Sequence, residues 1–289
     1  MKKHIIQRLT IVFSILFISG NTYSQDIAHE LSIFAGGGLS SLQNKTSVLD
    51  KSNGYGATVG VGYTYYFTSN FGIQTGIEYS MYSAKLKSSS ISGSYSTKDN
   101  EGDALDYSFK AEGFEEKQET GFLQIPLMAQ FQLPIGEANK FYIAAGGKIG
   151  LPIKKDYKHS FDKVTTQGYY PHLDPTIDDI PEQGFGTFSS TETDKELKLK
   201  TSFILSAETG MKWYLTDNMV LYTGVYVDYG LNDIKKDELT GSVLVEYNKA
   251  NPDIPISKSV TGLKQGNDAF IEKINTFSAG VKIKLGFNL

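Results

Sequence analysis

The sequence contains no cysteine in 289 residues. That excludes disulfides, cysteine nucleophiles, thiolate metal sites and lipid attachment to an N-terminal cysteine. Long apolar runs are also missing. Beyond the N-terminal leader, no segment approaches the roughly 20 apolar residues that a membrane helix requires, so any passage through a bilayer falls to strands closed into a barrel. Excess positive charge is absent: 28 Lys and Arg stand against 32 Asp and Glu, for a net charge of −4. A nucleic-acid partner, which calls for a basic stripe, is therefore not expected. Histidine is scarce, with four in the chain, and tryptophan occurs once.

What is present begins with a leader. Lys2, Lys3 and Arg8 precede a short apolar run over 9–18, and Thr22, Tyr23 and Ser24 follow. This is the pattern of a secretory signal peptide. It predicts residues 1–24 as the signal and 25–289 as one mature domain.

Along the mature chain, apolar residues recur with a period of two, and helical spacing is lacking. Eight strands are predicted, over 30–39, 54–67, 70–86, 118–133, 140–151, 198–215, 218–232 and 273–288. Their connections alternate in length. Thr68, Ser69 and Asn70, then 134–139, then Thr216 and Asp217 make short links; 40–53, 87–117, 152–197 and 233–272 are long. Alternate connections of an up-and-down barrel lie at opposite ends, and outer-membrane barrels keep short periplasmic turns and long external loops. An even strand number puts both termini at the short-turn end, on the periplasmic side.

The composition of the two faces decides which is inside. On the last strand Phe277, Ala279, Val281, Ile283, Leu285 and Phe287 alternate with Ser278, Gly280, Lys282, Lys284 and Gly286. Over 203–215, Phe203, Leu205, Met211 and Trp213 oppose Ser206, Glu208 and Lys212. The polar sets are rich in Gly, Ser, Gln and Tyr and poor in charge, which suits a narrow barrel interior rather than a solvated surface. Of the 32 acidic residues, 23 fall in 87–117, 152–197 and 233–272. The apolar face is thus expected to meet lipid. Tyr65, Phe67, Phe71, Phe131, Phe141, Trp213 and Phe287 share that face near the short-turn ends, as an interfacial girdle would. Glu78, Lys148, Glu208 and Lys282 are expected at one level of the lumen, with Lys148 and Glu208 close enough to pair directly. Lys212, Asp228 and Lys284 add charge at other levels. The favoured role for this cluster is a structural salt-bridge network; the rival role is a gate.

Four stretches carry a resemblance to the small outer-membrane β-barrel proteins of Bacteroidota, the porin-like or PorT-like group. They are the leader ending at Ser24, GFLQIPLMAQFQLP (121–134), FYIAAGGKIGLPI (141–153) and FSAGVKIKLGFNL (277–289). The resemblance implies an all-β, eight-stranded antiparallel transmembrane barrel of the outer membrane. Pro126 lies inside the fourth strand, where it cannot donate to the ladder, so a break or bulge is expected there.

Candidate chemistry outside the lumen is thin. His159, His172, Asp174, Asp178 and Asp179 fall in one long loop, with no Ser-His-Asp arrangement, HExxH or phosphate loop. The run DPTIDDIPE (174–182) lacks calcium-loop spacing. No cofactor, metal or catalytic residue is expected. No segment follows Leu289, so direct peptidoglycan anchoring is not expected. The expected partners are outer-membrane lipid, the barrel-assembly machinery and an envelope or extracellular protein. The expected function is structural or interactive, through the loops; LDYSFKAEGF (105–114) and GSVLVEYN (241–248) would extend strands or form external hairpins. The alternatives are a narrow pore for ions or small solutes and a secreted, lipocalin-like ligand binder.

Overall fold

The computed structural model describes residues 29–46, 49–136, 139–189, 193–236, 243–249, 256–265 and 268–289. The leader and its cleavage point lie outside the described residues. Eight long strands form the frame: β1 (His29–Lys45), β2 (Tyr55–Tyr66), β3 (Phe71–Lys98), β4 (Ala104–Ile135), β5 (Asn139–Ser160), β6 (Ser202–Tyr214), β7 (Met219–Gly230) and β8 (Lys273–Asn288). Each pairs antiparallel with its neighbour in sequence. The ring closes between β1 and β8, from Glu30 opposite Asn288 to Lys45 opposite Lys273. Closure leaves the wall of the barrel without an unpaired edge.

The apolar face is the outside. Phe203 and Leu205 are 51% and 57% exposed, while Ile204, Ser206 and Glu208 between and beyond them are 5% exposed or less. The same holds for Ile77 against Glu78 and for Ile283 against Lys282 and Lys284. A lipocalin-like arrangement, which needs an apolar lumen, is overturned by these buried charges. From Phe71 to Met81 the outward set of β3 is apolar, apart from Thr75. Ten residue steps measure about 33 Å along the strand, or about 25 Å along the axis at a tilt of about 40°. That is the height of an outer-membrane apolar band.

Four strands run further than the sequence pattern predicts. β1, β3, β4 and β5 extend to Lys45, Lys98, Ala104 and Ser160. The reason is a reversal of polarity. Beyond the band the outward residues are Lys85, Lys87, Glu115, Lys117, Glu119 and Lys154, paired as Lys85–Glu115 (2.6 Å), Lys117–Glu119 (2.7 Å) and others. The inward ones become Tyr82, Leu86, Phe114, Phe122 and Tyr157. These segments look like solvated loops by charge content, yet alternate as strands of a soluble sheet do.

Two irregularities re-aim the side chains. Register between β4 and β5 shifts between Gly121 and Phe122, which leaves Ile153 as the extra residue. Beyond it Tyr157 and His159 turn inward and Asp156 and Lys158 outward. At Gly113, φ is 63°, a left-handed conformation that favours glycine. Pro126 interrupts the β3–β4 ladder without shifting its register. The Thr75 hydroxyl donates to the Pro126 carbonyl at 2.9 Å, which satisfies that acceptor. The expected break is therefore present, and the bulge lies five residues earlier.

The long loops close the end away from the short turns. Leu197, Leu199, Ile234, Leu244, Val245, Val260, Leu263 and Phe270 pack against Leu42, Tyr82, Leu86, Phe114 and Phe122 as one apolar stopper. The 105–114 stretch extends β4 as expected. In the 241–248 stretch, Val245–Glu246 pairs instead with Ile256–Ser257, and Tyr247 packs on Tyr107 and Phe185.

Ile283 lies midway along the apolar side of β8. Replacing it with Lys is expected to cost about 2–4 kcal/mol of folding in a bilayer. On a gel run without boiling, the fraction migrating as compact barrel should fall; an unchanged fraction would refute a lipid-facing Ile283.

Candidate functional site

The inward polar sets of six strands converge on a buried ionic layer. Glu30, Glu78, Glu208 and Asp228 meet Lys148, Lys212, Lys282 and Lys284, and none is more than 5% exposed. Within the barrel band of the described residues, four carboxylates thus face four ammonium groups. Three knots form. Lys148 Nζ donates to Glu78 Oε1 at 2.6 Å and to Asp228 Oδ2 at 2.8 Å. Glu208 accepts from Lys282 at 2.9 Å and from the Tyr142 hydroxyl at 2.7 Å, with Lys284 at 3.4 Å. Lys212 donates to Glu30 at 2.7 Å, and the Tyr222 hydroxyl sits 2.7 Å from both oxygens of the same carboxylate.

Aromatic faces line the knots. Lys282 lies 5.0 Å from the ring centres of Phe34 and Tyr226. Lys284 lies 4.9 Å from that of Tyr222, and its ammonium donates to Gln74 at 3.1 Å. A desolvated ammonium over a phenol ring gains roughly 2 kcal/mol. Small residues make the room. A methyl group at Gly224 would meet the Tyr142 hydroxyl at 2.6 Å and the Thr209 carbonyl at 2.4 Å.

All seven charges predicted for the lumen point inward, but their partners differ from expectation. Lys148 does not pair with Glu208. In the β5–β6 ladder Lys148 is opposite Ile204 and Glu208 is opposite Ala144, an offset of four residues. That separates the two by about 13 Å along the strand. Glu78, Lys148, Glu208 and Lys282 accordingly divide between two knots rather than share one level. Glu30 was missed, although it alternates in phase with Ser32 and opposite Leu31 and Ile33. Tyr66, Tyr142 and Tyr222 lie on polar faces, and that placement was the available signal for their role.

The seven aromatics of the predicted girdle lie on the outer face at the short-turn end. Phe71 is opposite Phe131. Tyr65 and Phe67 meet edge to face at 4.8 Å, and Trp213 Nε1 donates to Thr223 at 2.9 Å. The histidine and aspartate candidates are not gathered into a site. His159 is buried between the rings of Tyr157 and Phe161. His172 is exposed beside Tyr170, and Asp174 accepts from the Tyr169 hydroxyl at 3.0 Å.

One buried carboxylate lies in the stopper. Glu116 is fully buried on β4. It accepts from Ser259 Oγ (2.8 Å), the Val260 amide (3.0 Å) and Gln118 Nε2 (2.8 Å), and its cross-strand neighbour is His159. It thereby fastens the turn at Val260–Gly262 into the barrel mouth.

Residues 23–236 match the model of the outer membrane protein beta-barrel domain. The chain belongs to that family. It is similar to the N-terminal beta-barrel domain of Pseudomonas aeruginosa OprF, at 11% identity and a TM-score of 0.32, covering 91% of this chain and 97% of that one. It is also similar to OprG of the same organism, at 13% identity and a TM-score of 0.35, covering 91% and 95%. Neisserial surface protein A is similar at 9% identity and a TM-score of 0.32, covering 89% and 95%. No curated protein matches the chain. The barrel is an integral outer-membrane barrel.

Two outcomes follow from the buried charges. Glu208→Gln leaves two lysines without their carboxylate and should cost about 3–5 kcal/mol in urea unfolding from micelles; a loss below about 1 kcal/mol would contradict the pairing. Burial pushes the Glu116 carboxyl up from 4.5 to about 7, against the pull of its three donors. A folded value above the unfolded one stabilises fully below pH 4.5 and is lost as pH rises through about 7. The stopper should therefore weaken by about 3 kcal/mol across that window. The unfolding midpoint of the wild type should drop with pH more than that of Glu116→Gln, and parallel curves would refute the assignment.

Proposed function

We propose that the protein is a closed outer-membrane platform: the barrel anchors it, the lumen does not conduct, and the long-loop end stands outside the cell to contact a partner. One observation supports this above the rest. The lumen is filled at two heights, by the ionic layer, which links strands two or three apart round the ring, and by the apolar stopper, which joins the long loops to β1, β3, β4, β5 and β8. In this reading the leader is cleaved after Ser24, the barrel-assembly machinery inserts residues 25–289, and the termini are periplasmic. The girdle aromatics sit at the inner interface of the bilayer, and the lumen charges are structural. The motif at 121–134 favours placement among the porin-like Bacteroidota barrels. No residue is given a catalytic role.

Single-channel recording tests the closure. The purified protein in a planar bilayer should give no discrete conductance steps, and Glu208→Gln should give none either. Steps in the wild type that Glu208→Gln alters would favour the narrow pore. Orientation is tested separately. Glu101, exposed at the turn between β3 and β4, can be replaced by Cys in this cysteine-free chain. A membrane-impermeant maleimide should label Glu101→Cys on intact cells; labelling only after lysis would reverse the topology.

A further inference from the structure

The far ends of the long strands form a sheet that stands clear of the apolar band. From Met81 to Lys98 β3 runs another 17 residues, about 56 Å along the strand. Most flanks of this sheet are covered by short strands from the chain's own loops. Asp50–Asn53 pairs with β3 at 84–87, and Thr193–Glu196 with β5 at 156–159. Lys163–Tyr169 covers β4, and is covered in turn by Gly186–Phe188 and Thr176–Ile177. One flank differs. Over 88–98, β3 pairs with β4 on one side, and among the described residues no strand lies on the other.

This bare edge reads SSSISGSYSTK. Exposed edges are ordinarily guarded by Lys, Pro or a bulge. Here 88–97 holds neither a charge nor a proline, and Ser90, Ser92, Ser94 and Ser96 are exposed. Every second residue turns its N–H and C=O to the open side. Such a row recognises one chemistry, another extended polypeptide backbone.

We propose that the occupant is the same edge of a second copy of this chain, carried on a facing membrane. The edge is self-complementary when run against itself with Gly93 at the centre. Ser92 then faces Ser94 and Ser90 faces Ser96 on the exposed face. Ile91 and Tyr95 stand opposite on the inward face, where Ile91 is already buried in the stopper and Tyr95 accepts from the Tyr247 amide at 2.7 Å. The backbone rows and the serines therefore carry the pairing. No like charges meet within 88–97. Direction selects the facing membrane. Two copies in one membrane carry β3 the same way, and a two-fold axis along the strand sets N–H against N–H. Copies on opposed membranes run antiparallel, and a two-fold axis through Gly93 satisfies both rows. A single pairing of this length is weak, and many copies per surface make it effective. The inference rests on the outward orientation of the long-loop end proposed above.

The test uses the full-length barrel in vesicles, with labelling of Glu101→Cys confirming that the long-loop end faces out. Wild-type vesicles should cluster, as read by light scattering. The double variant Ser92→Lys, Ser94→Lys sets lysine against lysine and should abolish clustering. Ser92→Glu, Ser94→Glu should abolish it too, and mixing the two populations should restore it, a rescue that misfolded proteins cannot give. Vesicles carrying Ser92→Cys should form disulfide-linked dimers with vesicles carrying Ser94→Cys. Vesicles of the otherwise wild-type Glu101→Cys protein that label from outside yet stay dispersed would overturn the second copy as occupant, as would clustering that the lysine pair leaves intact. Absent labelling of Glu101→Cys on intact cells would instead refute the orientation on which the inference rests.

Discussion

A charged group inside a barrel must find its opposite inside the same barrel, and much of this structure depends on that requirement. Removing a carboxylate or ammonium from water costs several kcal/mol unless it is paired and hydrogen-bonded. Here the pairs reach across the chain: Lys212 and Glu30 are 182 residues apart, and Lys148 and Asp228 are 80 apart. None can form until the strands have closed in the correct register. A slip of a barrel strand by one residue would send its lumen lysines to lipid and its lipid-facing apolar residues to the lumen. The ionic layer is therefore satisfied only in the one register that brings these partners together.

That layer also explains the shape of the wall. Lysine and tyrosine side chains fill a lumen of eight strands only where the facing positions are small, and Gly224 beside Tyr142 is one such position. The outer face carries none of this constraint, and its apolar residues need only be apolar.

Above the band the same strands obey the opposite rule. Water replaces lipid outside, so Lys85, Glu115 and Lys117 face out and Leu86, Phe114 and Phe122 face in. The change is made without ending the strands. As far as Leu86, β3 keeps the same inward set, as does the 114–122 part of β4, and only its chemistry changes. β5 re-aims its side chains through the extra residue at Ile153, and β4 re-aims beyond Phe114 at the left-handed Gly113. The apolar interior so created receives the long loops, and Glu116 ties them down. The loops are thus a second folded layer, whose outer sheet has, among the described residues, no strand on one flank of 88–98.

The class, the count of barrel strands, the lipid-facing set and seven of the eight lumen charges, Glu30 being the exception, were legible in the sequence. These follow from period-two alternation and loop lengths, which are local properties of a strand. The motif LQIPL around Pro126 even marked the interrupted ladder. Tertiary structure alone decided which charges pair. Lys148 joins Glu78 and Asp228 rather than Glu208 because strand stagger and barrel closure set heights in the lumen, and no local pattern encodes stagger. It also decided where the strands end. Charge in 87–117 and 152–160 reads as solvated loop until the apolar loops 233–236, 243–249 and 260–263 are seen to fill the barrel mouth behind it. Alternation tells a strand which face is oily; only the completed barrel tells it what lies on each side.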